Sequence, residues 1–115
     1  MKRAGLLTML AALSGALAVA AGAFAAHGAG ARAAELLRTG AQYQLIHAVA
    51  ALVAVGQPRG RAAAWLFIGG AAVFAGTLYA MAFGAPRILG AVTPIGGIGL
   101  ILGWLWLALG SLRGR

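Results

Sequence analysis

Apolar residues fill four long blocks of this chain, and polar residues gather between them. The first block, Gly5–Ala26, carries no charged side chain. His27–Gly40 follows as the most polar stretch, HGAGARAAELLRTG. A second block runs on to Gly56 and stops at Gln57-Pro58-Arg59-Gly60-Arg61, where Pro and Gly both break helix. The third, Ala62–Gly84, is again uncharged and closes on Ala85-Pro86-Arg87; the fourth extends to Ser111. Blocks of about twenty residues suit a hydrocarbon core of ~30 Å at a rise of ~1.5 Å per residue. The pattern predicts an all-α fold: an integral membrane bundle of four transmembrane helices near residues 5–26, 34–56, 62–84 and 90–111. No linker is long enough to divide it, so residues 1–115 read as one domain.

Two boundaries stay open. Met1-Lys2-Arg3 ahead of an apolar run, with Ala23-Phe24-Ala25 near its end, has the layout of a secretory signal. The run is longer than the ~7–15 residues of a signal's apolar centre, which favours a retained helix. The fourth helix starts either near Ile88 or at Pro94. Thr93-Pro94 reads as a helix cap and first helical position, or as a kink in a longer helix. At the other polar segment, Gly28 and Gly30 can take the left-handed conformation that ends a helix.

Composition sharpens this picture. Of 115 residues 63% are hydrophobic, and mean hydropathy is +0.95. Only Glu35 is acidic against nine basic residues, for a net charge of +8. The basic residues sit at the ends of apolar blocks rather than in a patch, and no nucleic-acid-binding motif is present, so lipid is the expected partner and nucleic acid is not. With the N-terminus in the cytoplasm, Lys2, Arg3, Arg59, Arg61, Arg113 and Arg115 fall inside, and Arg32, Arg38 and Arg87 outside. That imbalance predicts an N-in/C-in arrangement, with both termini in the cytoplasm. Trp65 and Trp106 suit an interfacial belt, while Trp104 can pack within the bundle.

Helices in lipid associate through close packing of small residues. Ala72, Gly76, Ala80 and Gly84 form one such stripe, Gly96, Gly99 and Gly103 a second, and Ser14, Ala18, Gly22 and Ala26 a third. Gly22, Gly76, Gly99 and Gly103 are the expected packing glycines.

The polar residues of the second helix pose the chemical question. In AQYQLIHAVAAL, residues 41–52, the helical repeat puts Gly40, Tyr43, Gln44, His47, Ala51 and Ala54 on one side. Leu45, Ile46, Val49, Leu52 and Val53 fall on the other, which should meet lipid. His47 lies about 16 Å along the axis from Leu36, near mid-membrane. An unsatisfied polar group there costs several kcal/mol, so the stripe must find partners. Tyr43, Gln44, His47, Thr77, Tyr79 and Thr93 form the candidate intramembrane polar cluster. Its structural reading, that Gln44 and His47 bridge neighbouring helices, is preferred to a functional site on a transport pathway. His27, with Gly28, is expected to cap the outer end of the first helix.

Enzyme classes find little support. One acid makes no carboxylate pair, there is no cysteine, and nucleophile-elbow and phosphate-cradling motifs are missing. Two histidines without nearby carboxylates make a poor metal site. Their depths differ by on the order of 10–15 Å, which disfavours joint haem ligation. No catalytic residue, metal or cofactor is expected.

Four motifs in order bring a family into view: Gly22-Ala23-Phe24-Ala25-Ala26-His27-Gly28, Gln42-Tyr43-Gln44-Leu45-Ile46-His47-Ala48, Phe74-Ala75-Gly76-Thr77-Leu78-Tyr79, and Leu89-Gly90-Ala91-Val92-Thr93-Pro94-Ile95-Gly96-Gly97 followed by Gly103-Trp104. The chain resembles domain of unknown function family 423, the YgdD-like small membrane proteins. The resemblance implies a four-helix multi-pass protein of bacterial inner membranes and no known reaction. The Ala- and Arg-rich segment Ala29–Arg38 departs from that pattern. The expected role is that of a structural protein, scaffold or partner subunit, alone, as a homo-oligomer or with another membrane protein; the alternative is a small-solute or lipid carrier or channel.

Overall fold

The computed structural model describes residues 3–113. Met1, Lys2, Gly114 and Arg115 lie outside the described residues, as do the side chains of Arg3, Ala4 and Arg113, so most of the inner charges behind the orientation argument do too. Four α-helices follow one another: α1 (Arg3–His27), α2 (Ala31–Ala54), α3 (Gly60–Ala82) and α4 (Thr93–Arg113), with a 3₁₀ turn at Arg87–Ala91 ahead of α4. Each packs on its predecessor and α1 also reaches α3. Gly15 faces Ala48 and Gly22 faces Ala41, so α1 and α2 run antiparallel; Gly70 faces Gly96 and Gly103 faces Phe67, so α3 and α4 do as well.

The core is inverted relative to a water-soluble bundle. Alanines dominate the interior, at positions 11, 50, 51, 54, 63, 64 and 71, and the largest fully buried side chains are Phe67, Leu7 and Leu37. The bulky aliphatics point outward: Leu13, Val19, Ile95 and Ile101 are each about 60% exposed. Small residues inside let helix backbones approach, and large ones outside suit a hydrocarbon solvent. Leu7 and Ala11 make α1 an integral wall of this core. α1, α3 and the Arg87–Leu112 segment are long and apolar enough to cross a membrane. α2 falls short because Arg32, Glu35 and Arg38 open it and Gln42, Gln44 and His47 follow.

The helix ends correct several sequence expectations. α2 starts at Ala31, earlier than position 34, behind an extended Gly30 whose carbonyl accepts from the Ala34 N–H at 2.8 Å. Gly28 and Gly30 are not left-handed: Gly84 is, at φ 108°. Gly84 closes α3 two residues sooner than expected, with the Ala85 N–H reaching back to the Ala80 carbonyl at 2.9 Å. This is the glycine-terminated helix end that relieves orphan carbonyls. Gly28 serves clearance instead, because a Cβ there would lie 2.6 Å from the Phe24 ring, which stacks on Phe83 at 5.7 Å. The fourth helix starts at Thr93, with Pro94 in its first turn where the missing N–H leaves no gap.

The packing glycines are also redistributed. Gly103 is wedged under Phe67, with its would-be Cβ 2.7 Å from the ring, and a Cβ on Gly99 would lie 3.4 Å from the Gly70 Cα. Gly22 sits at ordinary contact distance from Ala41. Gly76 faces open space: a Cβ there meets nothing within 4 Å. The stripe that brings α3 to α4 is offset from Gly76 and passes through Gly70, which meets Gly96.

Candidate functional site: the polar bonds between helices

The bundle buries ten positions of α2, among them Gly40, Gln44, His47, Ala51 and Ala54, and leaves Leu45, Ile46, Val49, Leu52 and Val53 exposed. The helical repeat therefore sorts this helix as its sequence implies, except at Tyr43, which was expected on the buried side and is exposed. The six polar residues of the expected cluster do not form one site. They form three separate sets of bonds, two of which recruit a residue outside the cluster.

The first set is centred on Gln44, which is 4% exposed. Its Nε2 donates to Ser14 Oγ of α1 at 3.1 Å, and its Oε1 accepts from the Tyr79 hydroxyl of α3 at 2.6 Å. One amide thus joins three helices. Tyr79 has room to reach it because Gly40, one turn before Gln44, has no side chain: a Cβ would sit 2.6 Å from the Tyr79 ring.

His47 forms the second set. Trp104 Nε1 donates to His47 Nε2 at 3.0 Å, and His47 Nδ1 lies 2.7 Å from the Tyr43 carbonyl oxygen. Indole N–H can only donate and a carbonyl can only accept. The ring proton therefore sits on Nδ1, and both nitrogens are used. Phe67 closes the face, 5.5 Å from the His47 ring and 4.8 Å from Trp104. Tyr43 takes part through its backbone; its ring packs on Phe74 at 4.7 Å and is nearly half exposed.

The third set joins α3 to α4. The Thr77 and Thr93 hydroxyl oxygens lie 2.6 Å apart. Thr77 donates to the carbonyls of Val73 and Phe74, and Thr93 lies 3.3 Å from the Leu89 carbonyl in the 3₁₀ turn. Among the described residues, no buried side-chain nitrogen or oxygen lacks a partner.

His27 does not act as the expected cap. The carbonyl of Phe24 accepts from the backbone N–H of Gly28 at 2.8 Å and of Ala29 at 3.1 Å, and the imidazole is exposed. The described residues contain no group of three or more His, Cys, Asp or Glu placed to hold a metal ion.

Ser14 and Trp104 escaped the sequence reading of the cluster. Ser14 is the one hydroxyl in the middle of α1, which was a usable signal. Trp104 lies deeper in α4 than Trp106, and a tryptophan so placed needs an acceptor for its N–H.

A family model described as "Protein of unknown function (DUF423)" matches residues 21–97. The chain belongs to this family. It is 42% identical to a UPF0382 membrane protein of Haemophilus influenzae, over 92% of the chain and 93% of that relative. It is 35% identical to the UPF0382 inner membrane protein YgdD of Escherichia coli, over 91% of the chain and 88% of the relative. With YwdK of Bacillus subtilis, also a UPF0382 membrane protein, the identity is 32% over 91% of the chain and 94% of the relative. No solved structure matches the chain. This DUF423 member is a membrane protein of unknown biochemical function. Gln44, His47, Thr77, Tyr79 and Thr93 fall within the matched span, and Ser14 and Trp104 fall outside it.

Proposed function

We propose that this DUF423 protein is a four-pass inner-membrane protein, with both termini in the cytoplasm, that acts through packing as a scaffold or partner subunit and not as an enzyme. The observation that carries this reading is the full pairing of buried polar side chains among the described residues. Catalysis or solute passage needs polar groups free to meet a substrate, and here Gln44 and His47 spend their hydrogen-bonding capacity on Ser14, Tyr79, Trp104 and the Tyr43 carbonyl. The same pairing supports a membrane crossing by α2, because its interior dipoles meet protein and its charges cluster in the first turns.

Two measurements test the two halves of the reading. Reporter fusions read the topology: a cytoplasmic reporter active at both termini, and a periplasmic one active in the segments around residues 29 and 86, are expected. Termini on opposite sides would overturn the four-pass arrangement. Reconstituted vesicles read the mechanism: equal solute leak for the native chain, Gln44→Ala and His47→Ala is expected, and a flux present in the native chain and lost in both variants would overturn action through packing.

A further inference from the structure

We infer that the α2–α4 seam holds one anionic phospholipid, its phosphate gripped by Arg59 and Arg61 at the α2–α3 turn. Three clefts lie along the molecule, each sharing one lining residue with the next. At the turn, Gln57, Arg59 and Arg61 line a cleft of about 460 Å³ that reaches Val55 and Trp106. A second, of about 360 Å³, shares Gln57 and continues past Val53, Leu107 and Ala108 to Trp104. A third, of about 380 Å³, shares Trp104 and ends among Tyr43, Phe74, Leu100 and Ile101. The mouth is cationic, and beyond it the lining is mainly apolar and aromatic, with Ser111 and His47 as its polar side chains. From Val53 to Tyr43 is about 15 Å at the α-helical rise, which is half of a ~30 Å hydrocarbon core and the reach of one acyl chain in one leaflet.

The charge at the mouth selects the headgroup. Glu35 is the only acidic side chain in the protein and stands near the start of α2, at the opposite end of that helix from the turn. The two guanidinium groups thus have no side-chain counter-ion of their own, and a phosphodiester offers paired acceptors that match their donor geometry. The turn is also held ready. Arg59 has φ 58°, a conformation uncommon for a residue with a side chain. It is fixed between the Gln57 N–H bonded to the Ala54 carbonyl and the Gly60 N–H bonded to the Gln57 carbonyl, both at 2.9 Å. Gly110 lets α4 press on this turn, since a Cβ there would lie 2.7 Å from the Pro58 carbonyl oxygen. α2 and α4 both pack on α3, and the Trp104–His47 bond bridges the seam between them, along which Val53, Ile101 and Trp104 are exposed. The inference holds whichever leaflet the turn occupies.

Native mass spectrometry of the full chain in mild detergent, with phosphatidylglycerol, phosphatidylcholine or glycerol 3-phosphate added, tests it. Asn tolerates the left-handed backbone of position 59, so R59N/R61Q removes both charges with least strain. R32Q/R38Q removes two charges at the other end, and A108W fills the seam without changing charge. Phosphatidylglycerol should bind in preference to phosphatidylcholine, and its affinity should fall about tenfold or more in R59N/R61Q, as expected for lost charge-assisted bonds. It should also fall in A108W and stay unchanged in R32Q/R38Q. Equal losses in both charge variants, full binding by A108W, or glycerol 3-phosphate binding as tightly as the lipid would each overturn the inference. If R59N/R61Q does not fold, A108W and R32Q/R38Q still decide between a seam-bound lipid and general attraction to a basic protein.

Discussion

Trp104 of α4 donates its indole N–H to Nε2 of His47 on α2 across 3.0 Å, although the main contacts of both helices are with α3. The bond assigns the histidine tautomer, since Nε2 must accept and Nδ1 must carry the proton toward the Tyr43 carbonyl. A residue whose sequence position also allowed a site on a transport pathway is thereby engaged at both nitrogens.

Trp104→Phe keeps an aromatic ring against Phe67 and removes only the donor. The expected loss of stability is about 1–2 kcal/mol, the range of helix–helix hydrogen bonds in membranes. Unfolding in detergent by denaturant reads it directly. In the native chain, ¹⁵N spectra of His47 should show a protonated Nδ1 and a bare Nε2; the reverse tautomer would remove the Trp104 bond from the account.

Gln44 binds on two sides, so its removal should be felt by α1 and α3 together. Tyr79→Phe leaves Oε1 of Gln44 without its donor, and Gln44→Leu leaves both Ser14 and the Tyr79 hydroxyl without a partner. A double-mutant cycle on Gln44→Leu and Tyr79→Phe should return a coupling of about 0.6–1.7 kcal/mol. Additive effects would mean that the 2.6 Å contact contributes nothing to folding.

Thr93→Val preserves shape and removes the hydroxyl shared with Thr77. Because Thr93 also approaches the Leu89 carbonyl, the variant should loosen the junction between the 3₁₀ turn and α4 more than the bundle as a whole. Faster amide exchange confined to residues 89–96, with global stability lowered by less than about 1 kcal/mol, is the expected result.

The architecture was legible wherever one physical constraint acted alone. Run length and charge placement gave four helices, and the 3.6-residue repeat separated Gln44 and His47 from Leu45 and Val49. The need to satisfy buried dipoles put Tyr79, Thr77 and Thr93 together as candidate partners of Gln44 and His47; Tyr79 does bond Gln44, whereas the two threonines bond each other. Legibility failed where two constraints fitted the same residues. The spacing from Ala72 to Gly84 marks a small-residue stripe, but in a chain with 19 glycines that spacing recurs and does not say which stripe meets a neighbour. Gly28 looked like a left-handed helix end, yet its backbone is ordinary and its missing Cβ clears the Phe24 ring. The partners Ser14 and Trp104 depend on helix register across long sequence separations, which no local pattern encodes.

Glycine substitutions separate these two kinds of small residue most sharply. A side chain at Gly76 points into open space on the outer side of α3, so Gly76→Leu should leave stability within about 0.5 kcal/mol of the native chain. Gly96 is different: its would-be Cβ runs into the backbone of Phe74 and comes within 2.7 Å of the Gly70 carbonyl oxygen. Backbone cannot rotate away as a side-chain tip can, so α3 and α4 would have to separate along their length. Gly96→Ala should therefore cost about 1–3 kcal/mol despite adding a single methyl group, and Gly103→Leu more, because Phe67 fills the space it needs. Both losses should appear as a lowered melting temperature in detergent alongside an unshifted Gly76→Leu. A Gly96→Ala chain as stable as the native one, or a Gly76→Leu chain that falls apart, would place the α3–α4 contact on the other stripe.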